Sequence, residues 1–440
     1  MQHADIIIIG GGPGGYEVAA EQAAAGLNVV LIERNALGGT CLNRGCIPTK
    51  CLCAAADKII AIADAADFGV DVADVKADFG RAASRMTTVV AGLHDDVTRA
   101  LSSVNVITGE ARLGANHTVM VNDETYTAPT IIIATGSQPA KLPIAGAETA
   151  ITSDELLRLT SLPGRVAIIG GGVIGLEFAS ILSAFGCEVT VIEYCKEILP
   201  PFDGDIAKRL RSLLSRRGIK FVTGAAVKSV HQGTVVSYES RRGEATVEAD
   251  LVVMAVGRRP VLPDGLDAAG IELTPRGFIA VDEHYLTSVE GIYAVGDVNG
   301  KCMLAHAATA QARSVFGAKV NMDVIPSAVF TNPEAAMAGF TQEAAEAAGC
   351  YDVATVKLPV ASNGKARAMG NADGLIKLIY DRASRRLLGC HAVGPHAADI
   401  IAEGAALMST GVSIDTIADT IVHAHPTLSE LLQAAAHMAR

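Results

Sequence analysis

The sequence predicts an α/β fold that contains two copies of one β-α-β unit and continues into a mixed, helix-richer end. Half of the 440 residues are apolar and 19% are charged, which is typical of a chain with several buried cores. Glycine is abundant, with 44 residues, as in folds that have many tight turns. Residues 8–33 also align without a gap with residues 168–193, and thirteen of the 26 positions are identical. This length favours about three domains.

Each copy of the repeat has the pattern of a dinucleotide-binding unit. A β-branched run, residues 6–9 or 166–169, indicates a buried parallel strand. Gly-x-Gly-x-x-Gly follows, then an alanine-rich helix that ends at a glycine, and then a second strand that ends at Glu33 or Glu193. The glycines permit a tight turn, close approach of a pyrophosphate and close helix–strand packing, and the helix N-terminus favours phosphate. A glycine-rich turn without a ligand is the alternative for one motif, but two complete copies favour two bound dinucleotides.

The acidic residue that ends the second copy indicates which dinucleotide binds there. Glu193 can accept hydrogen bonds from ribose hydroxyls and would repel a 2′-phosphate, so this copy is predicted to bind NAD rather than NADP. Lys196 is the nearest following cation, and Lys208, Arg209 and Arg211 lie further along the chain.

A pair of cysteines, Cys41 and Cys46, follows the first copy, with Pro48 and Lys50 close behind. A dithiol that is close in sequence can open and close as a disulfide and relay electrons beside a two-electron cofactor. A zinc site is excluded, because no second Cys pair with metal-ligand spacing follows, and no metal is expected. Two unrelated buried cysteines are the other interpretation of the pair alone. If Pro48 begins a helix, Lys50 lies toward the same region as the pair.

The net charge, the apolar runs and the cysteine count limit which partners and which cellular compartment we expect for this protein. A net charge of −11 argues against nucleic acid as a partner. No uninterrupted apolar run reaches the ~18 residues that a membrane helix needs, and a strand is predicted from Asp5 with no targeting segment before it. Nine cysteines, an odd number without small-scaffold spacing, suit a reducing compartment. We therefore expect a cytoplasmic protein without a membrane partner.

Together, these motifs resemble the FAD-dependent pyridine nucleotide–disulfide oxidoreductases, and the resemblance covers essentially the whole chain. Further segments also carry it: Ala134–Ser137, Val256–Pro260, Ala294–Asp297, Met303–His306, Pro326–Glu334 and His423–Glu430. It implies two Rossmann-like dinucleotide-binding domains and a C-terminal α+β dimerisation domain. The implied boundaries are 1–143 for the first part of the FAD-binding domain, 144–260 for the NAD-binding domain, 261–324 for a central FAD-binding segment and 325–440 for the interface domain. A homodimer with active sites shared across subunits is implied as well.

The resemblance also implies catalytic roles. Cys41 exchanges with the dithiol substrate, and Cys46 passes electrons to FAD. His425 of the partner subunit accepts a proton from the substrate, and Glu430 orients its imidazole. Lys50 lies near the flavin, paired with an acid that matches Glu177. His423, two residues before His425, is expected to be a surface residue or a satisfied core histidine.

The cofactor contacts implied by the resemblance fall into two sets, one for each dinucleotide. The FAD set is Gly10, Gly12, Gly14, Gly15, Glu33, Thr40, Lys50, Gly109, Thr135, Gly136, Ser137, Asp297, Met303, Leu304, Ala305 and His306. The NAD set is Gly170, Gly172, Val173, Ile174, Gly175, Glu177, Glu193, Val227 and Gly257.

Within this family, the resemblance is strongest to members that oxidise protein-bound or free dihydrolipoamide through a redox disulfide and FAD, with hydride transfer to NAD⁺. The implied partner is a lipoyl-bearing protein of a 2-oxo acid dehydrogenase or glycine cleavage complex. Another disulfide reductase of the family is the first alternative, although glutathione-type reductases place arginines where Glu193-Tyr194-Cys195 stands here. Reductases with an extra C-terminal redox pair fit poorly, since no cysteine follows Cys390. A non-catalytic subunit of a multienzyme complex is the second alternative, but such a relative is expected to lack Cys41, Cys46, Lys50 or His425.

Overall fold

A computed structural model describes residues 1–439, which form twenty-three strands and fourteen α-helices. The strands are β1 (Gln2–His3), β2 (Ile6–Ile9), β3 (Val29–Glu33), β4 (Asn105–Thr108), β5 (Arg112–Gly114), β6 (Thr118–Val121), β7 (Glu124–Thr127), β8 (Thr130–Ile133), β9 (Ser137–Pro139), β10 (Arg165–Ile169), β11 (Glu188–Glu193), β12 (Lys220–Thr223), β13 (Ala226–His231), β14 (Val235–Ser240), β15 (Gly243–Glu248), β16 (Leu251–Met254), β17 (Arg258–Pro260), β18 (Ile292–Ala294), β19 (Ser327–Val329), β20 (Glu334–Gly339), β21 (Val353–Pro359), β22 (Leu375–Asp381) and β23 (Leu387–Gly394).

The helices are α1 (Pro13–Ala24), α2 (Gly39–Arg44), α3 (Cys46–Ala63), α4 (Phe79–Ala100), α5 (Ser153–Leu156), α6 (Val173–Ala184), α7 (Gly204–Arg216), α8 (Leu266–Ala269), α9 (Ala305–Val315), α10 (Gln342–Ala348), α11 (Gly364–Ala368), α12 (Ala397–Ser409), α13 (Ile414–Asp419) and α14 (Glu430–His437). Within residues 1–439, none of these helices combines the length and the apolar character needed to cross a membrane.

The chain divides into two compact units. The first unit contains Met1–Cys51, Gly80–Ala140 and Gly257–Val320. The second contains Leu52–Phe79, Lys141–Val256 and the residues from Asn321 onward. The division into four segments that the resemblance implies stays a prediction.

A five-stranded parallel sheet, in the order β18-β8-β2-β3-β4, forms the centre of the first unit. Alternate residues of β2 face two separate cores. Ile7 and Ile9 pack with the strands of a second sheet, β1-β7-β6-β5, whereas Ile6 and Ile8 pack with Val18 and neighbouring helical residues. Burial on both faces explains why β2 consists of four isoleucines.

The second unit contains a four-stranded parallel sheet, in the order β12-β11-β10-β16. Residues of this sheet, such as Ile169 and Met254, share a core with Val230 and Val236 of the antiparallel sheet β13-β14-β15. The helix α6 lies within the repeat, as predicted, and most of its residues are buried.

The C-terminal part of the second unit is an antiparallel sheet, in the order β19-β20-β23-β22-β21, with helices α12, α13 and α14 packed into its core. All eight residues of β23 are buried. The predicted α+β character of this end is confirmed.

A buried ion network lies in the second unit, where α7 meets β22. The ammonium Nζ of Lys377 donates to both oxygens of Asp203, at 3.0 and 2.8 Å, to Asp205 at 2.7 Å and to Gln342 Oε1 at 2.8 Å. Lys377 and Asp203 are almost wholly buried. Burial alone would raise the pKa of Asp203, but the hydrogen bond and charge of Lys377 lower that pKa overall. The charges therefore stay ionised because each has its counterion.

Candidate active site

The cysteine pair lies where one helix ends and the next begins. Cys41 is in α2, and Cys46 is the first residue of α3, with Gly45 between the two helices. A side chain at Gly45 would place its Cβ 2.9 Å from the carbonyl oxygen of Thr40, so this bend needs glycine. Helix α3 begins at Cys46, two residues earlier than a helix that starts at Pro48. Pro48 therefore lies in the first turn, where a residue without an N–H is tolerated because no intrahelical hydrogen bond is lost.

The two cysteines contact each other through their side chains. The hydrogen bond between them is the main reason that the pKa of Cys41 is raised far above its usual range, and burial adds to this effect. The positive charge of Lys50 acts in the opposite direction. Cys41 is half-buried, whereas Cys46 is exposed. The hydrogen bond and the burial therefore favour retention of a proton within the reduced pair.

The first glycine-rich turn forms a cradle of backbone N–H groups between β2 and α1. The carboxylate of Glu33 is bound to the backbone on both sides of β3 and the turn: Oε2 accepts from Gly11 N at 2.7 Å, and Oε1 accepts from Asn35 N at 2.8 Å. Gly12 is the N-cap of α1 and has no side-chain capping bond. A Cβ at Gly15 would lie 1.9 Å from the oxygen of Gly10, so helix and strand approach as the motif predicts. The turn fits a pyrophosphate, and Glu33 keeps acceptor capacity for ribose hydroxyls.

The other predicted FAD segments of the first unit follow the carboxyl ends of the same parallel strands. Gly109 follows β4, Thr135–Ser137 follow β8, and Asp297 follows β18. In parallel sheets, ligands bind outside this edge. Thr40 lies in α2, and residues 303–306 lead into the first turn of α9. Gly109, Thr135–Ser137 and Asp297 therefore lie at one edge of one sheet, and the assignment of these segments to FAD stays a prediction.

Two side chains hold Asp297 in place. The Ser137 hydroxyl donates to Asp297 Oδ2 at 2.5 Å and accepts from Arg258 Nε at 2.7 Å. Arg258 also donates to the Ser137 carbonyl at 2.8 Å. Arg258 is a residue that the sequence pattern does not single out, although it lies within the Val256–Pro260 segment that carries the resemblance.

The second glycine-rich turn repeats the first. Glu193 Oε2 accepts from Gly171 N at 2.6 Å, and Oε1 accepts from Cys195 N at 2.7 Å. Gly172 is the N-cap of α6 without a side-chain capping bond, and a Cβ placed on it would meet open space. The cradle therefore fits a second dinucleotide, with the buried Glu193 beside it.

The remaining predicted NAD residues are spread over several elements. Val173, Ile174 and Gly175 form the first turn of α6, and Val227 lies in β13. Gly257 belongs to the first unit and directly precedes β17.

Glu177, the predicted partner acid of Lys50, lies one turn into α6 and is buried. Its Oε1 accepts a hydrogen bond from the backbone N–H of Phe330 at 2.9 Å. Nearby, Ser180 accepts from Asn332 N at 3.1 Å. The face of α6 that carries Glu177 therefore contacts the segment that leads into β20.

The predicted histidine–glutamate pair is formed within one chain. His425 Nδ1 lies 2.9 Å from Glu430 Oε1, and Glu430 Oε2 accepts from Thr427 N at 2.8 Å. Because a carboxylate only accepts, Nδ1 carries the proton and Nε2 is left as the base. The hydrogen bond with His425 is the main cause that lowers the pKa of Glu430, so the pair persists to lower pH. The His425 side chain is 81% exposed.

The neighbouring His423 is a satisfied core histidine, one of the two alternatives that we expected. Its side chain is only 6% exposed. Nε2 lies 2.7 Å from Glu403 Oε1, and Nδ1 lies 3.4 Å from Gln433 Oε1. Gln433 in turn donates to two backbone carbonyls, those of Ala418 and Ile421. Both ring nitrogens are therefore used inside the protein.

Comparison with known proteins gives agreement over almost the whole chain. Residues 4–312 match the family described as pyridine nucleotide-disulphide oxidoreductase, and residues 325–436 match its dimerisation domain. The dihydrolipoyl dehydrogenase of Thermus scotoductus is 39% identical over 99% of this chain and 97% of its own length. That of Chlamydia muridarum is 38% identical over 97% and 95%, respectively.

Among solved structures, the HOCl-induced flavoprotein disulfide reductase RclA from Escherichia coli matches with a TM-score of 0.87. It is 32% identical, with 99% of this chain and 100% of that chain covered. Its Cu(II) complex matches with a TM-score of 0.88 at 31% identity over the full length of both chains. These matches confirm the predicted fold class, and they show that the chain belongs to the pyridine nucleotide–disulphide oxidoreductase family, whose enzymes use FAD and NAD(H).

Proposed function

We propose that this protein is a dihydrolipoyl dehydrogenase, which oxidises dihydrolipoamide to lipoamide and reduces NAD⁺. The observation that carries the proposal is the contact between Cys41 and Cys46 beside the charge of Lys50. The named relatives from Thermus scotoductus and Chlamydia muridarum support the choice of substrate.

The half-reaction with substrate is a thiol–disulfide exchange that begins from the oxidised Cys41–Cys46 pair. Nε2 of His425 accepts the proton of one substrate thiol, and the resulting thiolate attacks the sulfur of Cys41. The Cys41–Cys46 bond breaks, and Cys46 leaves as a thiolate. The second substrate thiol then attacks the substrate sulfur that is bound to Cys41, which closes the lipoyl disulfide and releases Cys41.

The electrostatics of the pair support this direction. On its release Cys41 takes up the proton of the second substrate thiol, and the negative charge left by the first deprotonation stays within the cysteine pair, where the charge of Lys50 stabilises it. Two electrons leave the substrate dithiol and are held by the reduced cysteine pair. Glu430 keeps the His425 ring in the tautomer that this step needs.

The residues that would hold FAD are those gathered at the carboxyl edge of the first parallel sheet, above all the glycine-rich turn, Glu33 and Asp297. When bound, FAD supplies the two-electron chemistry that joins the dithiol to hydride transfer to NAD⁺. The turn at Gly170–Gly175 and Glu193 would hold NAD⁺. Lys50 would supply positive charge near the flavin.

The dimerisation domain supports a homodimer, in which His425 of the partner subunit serves the cysteine pair of each chain. The exposure of His425 on its own chain agrees with such a role. We further propose a cytoplasmic location and a lipoyl-bearing protein of a 2-oxo acid dehydrogenase or glycine cleavage complex as the partner.

A second candidate function is that of a different disulfide reductase. The full coverage of both chains in the match with RclA, including its Cu(II) complex, favours it. The alternative resembling glutathione reductases is disfavoured by the buried Glu193, whose charge would oppose a 2′-phosphate.

The first experiment measures NADH formation at the nicotinamide absorbance band with dihydrolipoamide and NAD⁺, and in parallel with NADP⁺. Turnover that requires NAD⁺ supports the proposal. Absence of turnover by flavin-loaded protein contradicts it, and NADH-dependent reduction of another disulfide would then favour the second candidate.

Cysteine variants test the role of the contact between Cys41 and Cys46. Cys41→Ser and Cys46→Ser are expected to lower kcat by more than about a thousandfold, because the disulfide route is lost, while FAD stays bound. Cys350→Ser is the matched control, since Cys350 is an exposed cysteine outside the pair. His425→Gln should cost about 10²- to 10⁴-fold. Normal turnover of Cys41→Ser would refute the role of the pair.

A further inference from the structure

We propose that Arg258 is a positioning residue of the flavin site, which acts on Asp297 through Ser137. The inference rests on FAD binding by the first unit and is independent of the identity of the dithiol substrate. All three residues belong to that unit.

The hydrogen bonds fix a direction from Arg258 to Asp297. Arg258 holds Ser137 at two points, with Nε donating to the hydroxyl oxygen at 2.7 Å and Nη2 donating to the carbonyl at 2.8 Å. A serine hydroxyl has one hydrogen. Because its oxygen accepts from Arg258, that hydrogen is directed to Asp297 Oδ2, at 2.5 Å. Ser137 is thus a relay, and its hydroxyl hydrogen is already committed within the protein.

Charge acts in the same direction as the hydrogen bonds. Arg258 Nε lies 3.8 Å from Asp297 Oδ2, and the two side chains are only 13% and 23% exposed. A carboxylate in such surroundings needs a counterion, or it turns toward water. With Oδ2 held by Ser137, the direction of Oδ1 is set as well. Asp297 therefore presents a fixed acceptor to hydroxyl groups, such as those of the ribityl chain of FAD.

The backbone on both sides of this group is fixed independently. Asp297 lies in a short 3₁₀ turn, in which Gln311 Oε1 accepts from Gly296 N at 2.8 Å and from Asn299 Nδ2 at 2.9 Å. Strands β9 and β17, which carry Ser137 and Arg258, form an antiparallel pair. Loss of the Arg258 side chain should therefore leave the backbone in place and release only the Asp297 carboxylate.

The strands β9 and β17 are also where the chain leaves the first unit and returns to it. Ala140 N donates to Gly257 O at 3.0 Å at the end of this pair. Arg258 is the second residue of the segment Gly257–Val320, with which the chain re-enters the first unit. The start of this segment is therefore bound to β9 by a side chain as well as by its backbone.

The test is a double-mutant cycle on FAD binding. The dissociation constant of FAD is measured by flavin fluorescence during reconstitution of the apoprotein, for Arg258→Met, Asp297→Asn and the double variant. Each single variant should weaken binding about 10- to 100-fold, in line with the loss of charge-assisted hydrogen bonds. The double variant should bind FAD no more weakly than the weaker-binding single variant, because each single substitution already removes the same contact.

Matched controls separate positioning from a general structural effect. Arg259→Met removes an identical side chain at the adjacent, exposed position and should leave FAD binding unchanged. Arg258→Lys should restore part of the affinity. Ser137→Ala removes only the relay hydroxyl and should reproduce the loss if Arg258→Met does not fold. Multiplicative losses in the double variant, or equal losses for Arg259→Met, would overturn the proposal.

Discussion

In the first dinucleotide turn, helix α1 packs closely against α9, whereas in the second turn the corresponding helix α6 packs on the segment that leads into β20. Gly14 in the first copy corresponds to Ile174 in the second. A Cβ at Gly14 would come within 3.1 Å of the Cβ of Ala308 in α9. Glycines that both copies share, such as Gly15 and Gly175, permit the turn itself. Gly14, which the second copy lacks, instead permits the close packing of α1 against α9.

The glutamate that both helices share, Glu17 in α1 and Glu177 in α6, differs in its contacts in the same way. Glu17 lies 3.5 Å from Arg313 of α9, at the partly exposed surface of the first unit. Glu177 is buried and accepts from the backbone of Phe330. The repeat thus determines the phosphate-binding geometry, and the surrounding elements determine what the outer face of each helix does.

The largest expected effect comes from the glycine that both copies share. Gly15→Ala and Gly175→Ala would place a Cβ 1.9 and 2.0 Å from the carbonyl oxygens of Gly10 and Gly170. Backbone must shift in each case, at a cost of about 1–3 kcal/mol or more. Gly15→Ala should lower the FAD content of purified protein at least about tenfold. Gly175→Ala should retain FAD and raise KM for NAD⁺ at least about tenfold.

Absorbance of bound flavin and steady-state kinetics separate these two outcomes. Gly26→Ala is a useful control for each, since Gly26 lies just after the end of α1 and a Cβ there meets nothing within 4 Å. Its φ of +92° should lower stability without a selective loss of one cofactor. Loss of FAD in Gly175→Ala would show that the copies are not independent.

The next effect concerns the terminal glutamates. Glu193→Gln removes a buried charge that opposes a 2′-phosphate, so the preference for NAD⁺ over NADP⁺, as a ratio of kcat/KM, should fall by about tenfold. Glu33→Gln, in the first copy, should leave this ratio unchanged and weaken FAD binding instead. An unchanged ratio in Glu193→Gln would contradict the assignment of the second copy to NAD.

A smaller effect is expected from the position that the copies do not share. Gly14→Ala forces its new Cβ against Ala308 and should reduce the free energy of unfolding by about 1–3 kcal/mol. Ile174→Val, at the corresponding half-buried position, should cost about 0.5–1.5 kcal/mol through lost burial rather than overpacking. Urea denaturation of both variants measures the difference. Partial recovery in Gly14→Ala with Ala308→Gly would identify α9 as the source of the strain.

The smallest expected effects come from one contact of each helix, an ion pair for α1 and a hydrogen bond for α6. The loss of stability on removing each contact should differ in its dependence on salt concentration. Arg313 donates to Glu21 at 2.9 and 2.5 Å from a side chain that is about half exposed, so Arg313→Gln should cost no more than about 1 kcal/mol. That cost should shrink in 0.5 M salt. Ser180→Ala leaves the N–H of Asn332 without its acceptor, at a cost of about 1 kcal/mol. This second cost should not depend on salt, and a salt-sensitive Ser180→Ala would contradict the distinction.

The turns were predictable from the sequence because their geometry is local. Gly10, Gly15 and Glu33 lie within one β-α-β unit, and spacing alone brings them together. Gly14 could be singled out only by the family resemblance, because α9, which it contacts, lies far along the chain. The same holds for Arg258: no periodicity relates β17 to β9 or to Asp297, which only tertiary pairing brings into contact.

The histidines of the C-terminal segment show a similar limit. His425 and Glu430 are close in sequence, so their pairing could be anticipated, and the distance of 2.9 Å agrees with it. The sequence left His423 as either a surface or a core residue. Its partner Glu403 is on α12, and that contact decides between the two alternatives.

The buried contact of Lys377 with Asp203 and Asp205 also constrains how this sequence can diverge. Substituting either Lys377 or Asp203 leaves the other charge without its buried counterion, which typically costs about 3–5 kcal/mol. Replacing the whole group by apolar residues would cost far less, yet every one-step route to it passes through such a destabilised intermediate. These positions should therefore be inherited as a block. Among distant descendants, they should be either all charged or all apolar, with few mixtures.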